Sequence, residues 1–172
     1  GKSVPATNRD SMAAMRTVGV ESYISDSGVI RYKIIAEEWM VYDKLDPPFW
    51  AFEKGLYLEQ FNEDFSAEAT IKADTAYYYD KKKLWELRSN VHIENQKQEK
   101  FDTDLLFWDE YKQEVYSDKK IRIEQADKVI VGYGFKSNQQ LTDYVINNTE
   151  GIFYIEEDSP ESVNDTLVND SI

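Results

Sequence analysis

The sequence predicts an all-β domain, and three observations support this. A phrase of hydrophobic and aromatic residues occurs three times, beginning at Ala36, Ala73 and Asp102. The last hydrophobic run of each copy alternates with a period of two, which is the period of a β-strand. Aromatic residues make up 14% of the 172 residues, whereas glycine (7) and proline (4) are few. Large rings suit the faces of a sheet, and the turns are therefore expected to use Asp, Asn and Lys.

Each copy of the phrase divides into three runs of strand length, so we expect three strands per repeat. The runs cover residues 36–43, 49–52 and 56–59 in the first copy, 73–80, 84–87 and 91–94 in the second, and 102–109, 114–116 and 121–124 in the third. A hairpin of strands at 19–24 and 29–35 precedes the repeats. Strands at 129–135, 142–147 and 151–155 follow them. Such an internal repeat is typical of an elongated β architecture.

The length is sufficient for one domain with a hydrophobic core. Residues 1–17 are polar and mixed, and we expect them to form a flexible tether. The β domain is expected to cover residues 18–156. Residues 157–172 are acidic and rich in Ser and Asn, and we expect a disordered tail there.

The alternation predicts which side chains point into the interior. In the last strand of each repeat Leu, Val and Ile point one way, while Tyr57, His92 and Arg122 point the other way. The first strands leave the choice of face open, because Tyr77, Tyr79, Leu106 and Trp108 form a second apolar set. The expected interior residues are Trp39, Val41, Trp50, Phe52, Leu56, Leu58, Ala76, Tyr78, Trp85, Leu87, Val91, Ile93, Leu105, Phe107, Ile121 and Ile123.

An apolar interior face is compatible with an ordinary closed core or with an open trough. Strands of about six residues span roughly 20 Å, a length comparable to an extended acyl chain. No helical segment is available to cover an open side of the sheets. Both interpretations, the open trough and the closed core, are therefore kept.

Composition excludes several classes of function. A net charge of −13 and an isoelectric point near 4.5 argue against nucleic-acid binding. The chain has no cysteine and a single histidine, His92, which we interpret as an outward-facing strand residue and not as a catalytic base or metal ligand. We expect no catalytic residue, cofactor or metal. No run of 18 apolar residues occurs. The leading Gly1 suggests a processed or engineered start, from which we expect a signal or anchor to have been removed.

Residues 73–94, 101–124 and 130–135 resemble the OstA-like repeats of lipopolysaccharide transport proteins. Together with the motifs at residues 20–28, 83–88 with Asn90 and Val91, 106–109, 115–118 and 132–135, the order of the whole chain resembles the LptC family in its Bacteroidetes form. The resemblance covers residues 18–155. It departs from the family pattern at Ser89, where a glycine is usual, and at residues 96–98, where a turn with glycine is common.

The resemblance implies a twisted, half-open β-jellyroll with an apolar trough. It implies a non-catalytic, periplasmic protein that is anchored to the inner membrane through an N-terminal segment. Such a protein receives lipopolysaccharide from an inner-membrane ABC transporter complex. It passes this lipid to a periplasmic bridge protein of the same fold (LptA-like).

Two alternatives come from other classes of protein. The first is a structural or adaptor β module of the cell envelope, without a lipid cargo, in which the interior is an ordinary core. The second is a carbohydrate-binding or hydrolytic β domain, which requires a cleft that holds a Trp and two carboxylates.

The last strand predicts a docking edge. Acidic residues directly follow the apolar run Ile152, Phe153, Tyr154 and Ile155. Charged residues at this position are typical of a sheet edge that is protected against aggregation. We expect this edge to accept a strand of the bridge protein by backbone pairing. The N-terminal edge near residues 20–24 would face the transporter.

Overall fold

The computed structural model describes residues 12–156, and they form eleven antiparallel strands. The strands are β1 (Met15–Asp26), β2 (Val29–Tyr42), β3 (Phe49–Phe52), β4 (Leu56–Phe61), β5 (Ala67–Ala73), β6 (Thr75–Tyr79), β7 (Leu84–Asn95), β8 (Lys100–Asp109), β9 (Glu114–Glu124), β10 (Lys128–Asn138) and β11 (Tyr144–Tyr154). The all-β, jellyroll-like fold predicted from the sequence is confirmed. Within residues 12–156, no helix is long and apolar enough to cross a bilayer.

The strands belong to one sheet that branches at two long strands. β2 pairs with β4 along residues 32–35 and with β3 along residues 40–42. β7 pairs with β6 along residues 84–88 and with β5 along residues 92–95. β3 and β4 therefore share one position in the sheet, as do β5 and β6. One half of the sheet contains β4 and β5, and the other contains β3 and β6. We refer to these halves as the β4–β5 layer and the β3–β6 layer.

The remaining long strands run through both layers and bend where they pass from one to the other. In β7 the bend lies at residues 88–90, which are exposed between buried Leu87 and Val91. Ser89 and Asn90 take left-handed backbone conformations there, with φ of 65° and 50°, and the register with β8 shifts. In β9 residues 118–120 are likewise exposed between buried Ser117 and Ile121, and the register with β8 shifts. Bulges of this kind bend a strand without breaking it.

At the bend of β10 a glycine is required by the close approach of β11. A Cβ atom at Gly132 would lie 2.6 Å from the backbone oxygen of Asn148 and 2.6 Å from Cγ2 of Ile146. The register between β10 and β11 shifts beside this residue. The two last strands therefore bend together.

The prediction of three strands per repeat is wrong for two of the three copies. The runs 84–87 and 91–94 lie on the single strand β7, and 114–116 and 121–124 lie on β9. The runs 142–147 and 151–155 likewise join in β11. Only the first copy has separate strands, β3 and β4, on either side of residues 53–55. A bulge in the other copies changes direction where the sequence suggested a turn.

The ends of the domain differ slightly from the expected boundaries. β1 begins at Met15, within the predicted tether, and the backbone N–H of Ala14 donates to the Val41 carbonyl oxygen at 2.8 Å. Residues 1–11 of the tether and the predicted tail at 157–172 lie outside the described residues.

The core lies between the two layers. The ring of Tyr32, in the β4–β5 layer, contacts Trp85 and Trp108 of the β3–β6 layer, with centroids 6.0 and 5.7 Å apart. Further along, Phe101 contacts Phe135 across the layers at 5.7 Å. A smaller cluster of Met40, Tyr42 and Ala51 lies on the outer face of the β3–β6 layer. The inward faces of both layers thus form one continuous apolar surface.

Candidate functional site

The structure brings most of the predicted interior residues together in the main core. Eleven are buried there: Phe52, Leu56, Leu58, Ala76, Tyr78, Trp85, Leu87, Val91, Ile93, Ile121 and Ile123. Trp39 and Trp50 are partly buried and pack against them. Val41 lies on the same face of β2 as Trp39 and is only half-buried. The interior is apolar as expected, and its own side chains fill it.

The predicted orientation of β8 is wrong. Leu106 and Trp108 are in the core, whereas Leu105 and Phe107 point outward. Trp108 lies opposite Trp85 in the ladder, and the ring of Phe107 stacks on Tyr116 at 5.3 Å. Both faces of this strand are apolar, so the packing of its neighbours decides which one is buried. Of the second apolar set, Leu106 and Trp108 therefore point into the core, whereas Tyr77 and Tyr79 lie on the outer face of β6.

A cleft lies at the side of the domain where the two layers end in turns. Its volume is about 830 Å³. The turns before β2 and β5 lie on one side of it, and the turns before β7, β9 and β11 lie on the other. We call it the mouth cleft. Its lining combines five aromatic residues (Tyr32, Trp50, Phe61, Tyr78 and Trp108) with four glutamines (Gln60, Gln113, Gln139 and Gln140) and several charged residues.

The charges that line the mouth cleft are mainly negative. The carboxylates are Asp26, Glu63, Asp64, Glu68, Asp80 and Glu110, and the cations are Arg31 and Lys83. Burial raises the pKa of the Glu110 carboxyl above its ordinary value. Burial also raises the pKa of the Tyr78 hydroxyl, and the charge of Glu110 adds to this effect. The cleft therefore combines partly buried polar groups with a lining of net negative charge.

Sequence reasoning did not find the mouth cleft, since its residues come from strands and turns far apart in the chain. Its Trp residues and carboxylates supply the groups that the carbohydrate-binding alternative requires. The Oε1 atom of Glu110 is buried in this cleft and has no hydrogen-bond partner.

His92 lies on the outer face of the sheet, as the sequence predicted. Its Nδ1 is 2.7 Å from an Asp102 carboxylate oxygen, and its Nε2 is 3.3 Å from a Glu94 oxygen. Desolvation alone would lower the pKa of His92, but hydrogen bonds and charges of the two carboxylates outweigh it, and the pKa is raised. Among the described residues, no group of His, Asp and Glu side chains could hold a metal ion.

The C-terminal edge strand is exposed and apolar. Among the described strands, β11 pairs only with β10, and β1 pairs only with β2. Ile152, Phe153, Tyr154 and Ile155 are all exposed. The Phe153 ring covers Gly151, approaching within 3.0 Å of the position of a Cβ atom. The residues expected to form a docking edge therefore lie together at one edge of the sheet.

Comparison with known families agrees with this architecture. A family model described as lipopolysaccharide-assembly, LptC-related, matches residues 4–152. The chain belongs to the LptC-related family. The match includes every described strand except the last two residues of β11. Membership in the LptC-related family gives the protein a role in lipopolysaccharide assembly and transport at the cell envelope. No curated protein matches the chain.

Proposed function

We propose that the protein is a non-catalytic carrier that binds lipopolysaccharide and transfers it between the inner-membrane transporter and a bridge protein. The observation that carries this proposal is the continuous apolar surface between the two layers. On one side the layers are joined by the bends of the long strands. On the opposite side the layers end in separate turns, which flank the mouth cleft. An acyl chain could enter from that side without breaking the ladder of any long strand.

The energetics favour acyl chains as the ligand. Each buried methylene contributes about 0.8 kcal/mol, so a chain of ordinary length gains several kcal/mol from burial alone. Each layer is about six residues deep, or roughly 20 Å, which matches an extended chain. Because side chains such as Trp85 and Leu87 are fully buried, a bound chain must replace contacts between the layers. Capture therefore requires the layers to separate at the mouth.

The two free edges supply the sites for partners. Under this proposal β11 accepts a strand of an LptA-like bridge protein through backbone pairing, and β1 faces the inner-membrane ABC transporter complex. The protein would act in the periplasm, held to the inner membrane by a segment N-terminal to the β domain. No step of this transfer requires a catalytic group or a cofactor.

Site-specific photo-crosslinking tests the proposal. A photo-reactive amino acid at Leu87 or Ile93, which are buried between the layers, should form adducts with labelled lipopolysaccharide. The same amino acid at Leu105, on the outer face of β8, is the matched control and should form none. If no inward position gives an adduct, the lipid carrier is excluded and the adaptor module with a closed core is the better description.

A further inference from the structure

The mouth cleft contains a buried polar group without a partner. Five polar residues are buried among the described residues: Gln60, Asn95, Thr103, Ser117 and Ser137. The side chains of the last four form hydrogen bonds, for example Thr103 Oγ1 to the Lys120 carbonyl oxygen at 2.8 Å. The Oε1 atom of Gln60 forms none, although the residue is only 8% exposed. A buried acceptor without a donor costs about 1–3 kcal/mol, so this position is unfavourable for folding alone.

Gln60 also interrupts an apolar pattern. It follows Leu56 and Leu58 on the inward face of β4 and is the last inward residue of that strand, at the lining of the mouth cleft. A second acceptor without a partner, Oε1 of Glu110, lies in the same lining. Two acceptors that need donors therefore face one cleft whose walls carry aromatic rings.

We propose that the mouth cleft binds an uncharged, hydroxyl-rich saccharide. Sugar hydroxyls would donate hydrogen bonds to Gln60 and Glu110, and the apolar faces of the sugar ring would pack on Trp50 and Tyr78. The net negative charge of the lining disfavours phosphate groups, because six carboxylates and two cations line the cleft. The source of this saccharide follows from the proposed function, on which it rests. It is the neutral sugar portion of the bound glycolipid.

The assignment separates two parts of one cargo. Acyl chains occupy the apolar interior, and a neutral sugar occupies the mouth where that interior reaches solvent. Phosphorylated parts of the head group would remain outside the cleft. Recognition of the sugar would then come from Gln60 and Glu110, while burial of the chains supplies affinity.

Binding of a lipid-free probe tests the proposal. The probe is the oligosaccharide that mild acid releases from lipopolysaccharide, used after removal of its phosphates and, in a second arm, with the phosphates retained. We expect saturable changes in the tryptophan fluorescence of the full chain with the dephosphorylated probe, and at least a few-fold weaker binding with the phosphorylated one. Absence of saturable binding, or preference for the phosphorylated probe, would overturn the proposal.

A variant pair separates a binding role from a structural one. Gln60→Met removes the unpartnered acceptor at similar volume and should weaken binding at least tenfold, with a melting temperature that is unchanged or higher. Gln96→Met makes the same change at an exposed turn outside the cleft and should leave binding intact. Unchanged binding by Gln60→Met, or loss of binding accompanied by a lower melting temperature, would contradict the assignment.

The saccharide-binding and crosslinking experiments test the two proposals separately. Lipid adducts at Leu87 without saccharide binding would leave the carrier function and remove the saccharide site. Saccharide binding without lipid adducts would support the saccharide site but would contradict the proposal that the saccharide belongs to a bound glycolipid.

Discussion

Adjacent leucines on β8 have opposite environments. Leu106 is fully buried in the core, whereas Leu105 is only half-buried, on the outer face. We expect Leu106→Asp to lower the free energy of unfolding by at least about 3 kcal/mol, because it places an unpaired charge in an apolar core. Leu105→Asp should cost less than about 1 kcal/mol. Urea unfolding measures both values, and similar losses would reverse the orientation of this strand.

The single histidine predicts a pH-dependent contribution to stability. The folded-state pKa of His92 is raised, so protonation is favoured by folding. Its contribution is therefore fully present below the ordinary pKa of 6.5 and is lost as the pH rises through the raised value. His92→Gln should lower the melting temperature at pH 5.5 and have little effect at pH 9. Asp102→Asn removes the closest partner and should also cost more at pH 5.5 than at pH 9, with a constant loss added by its ion pair with Arg122 at 3.8 Å. An equal effect of His92→Gln at both pH values would exclude the ion pair as its cause.

The strands themselves could be predicted from the sequence, but their number could not. Period-two alternation located a segment of every described strand except β5, which was missed, since a half-buried sheet imposes that period. The bends at residues 88–90 and 118–120 have the polar composition of a turn, so the sequence does not distinguish a bulge from a chain reversal. Pairing with β8 on both sides of each bend is what keeps the strand continuous.

The site was less predictable than the fold, for a physical reason. Inward positions of strands with one apolar face, such as Val91 and Ile93, followed from alternation. The orientation of β8 did not, because both of its faces are apolar. The mouth cleft depends on which turns lie together across the layers, and this follows from the order of the strands. The unusual Gln60 is recognisable only once its neighbours are known.

At the scale of the whole molecule, the C-terminal edge determines assembly under the proposed function. Phe153 and Val145 are exposed to similar extents, 61% and 63%, at opposite ends of β11. If a bridge protein docks at residues 151–155, Phe153→Glu should weaken its binding at least tenfold, whereas Val145→Glu should have little effect. Neither variant should change the melting temperature, since both side chains are exposed. Titration calorimetry with an LptA-like partner measures the affinities, and equal losses would place the docking surface elsewhere.

The bend shared by the long strands has a consequence for how such proteins change in size. A closed barrel fixes its number of strands, because adding one alters its diameter and the packing of every other strand. This sheet is folded and its two edges remain open, so another bent hairpin like β8 and β9 would extend both layers at once. The existing core would keep its contacts. Homologues can therefore gain or lose whole hairpins at an edge while the cross-section of the interior stays constant.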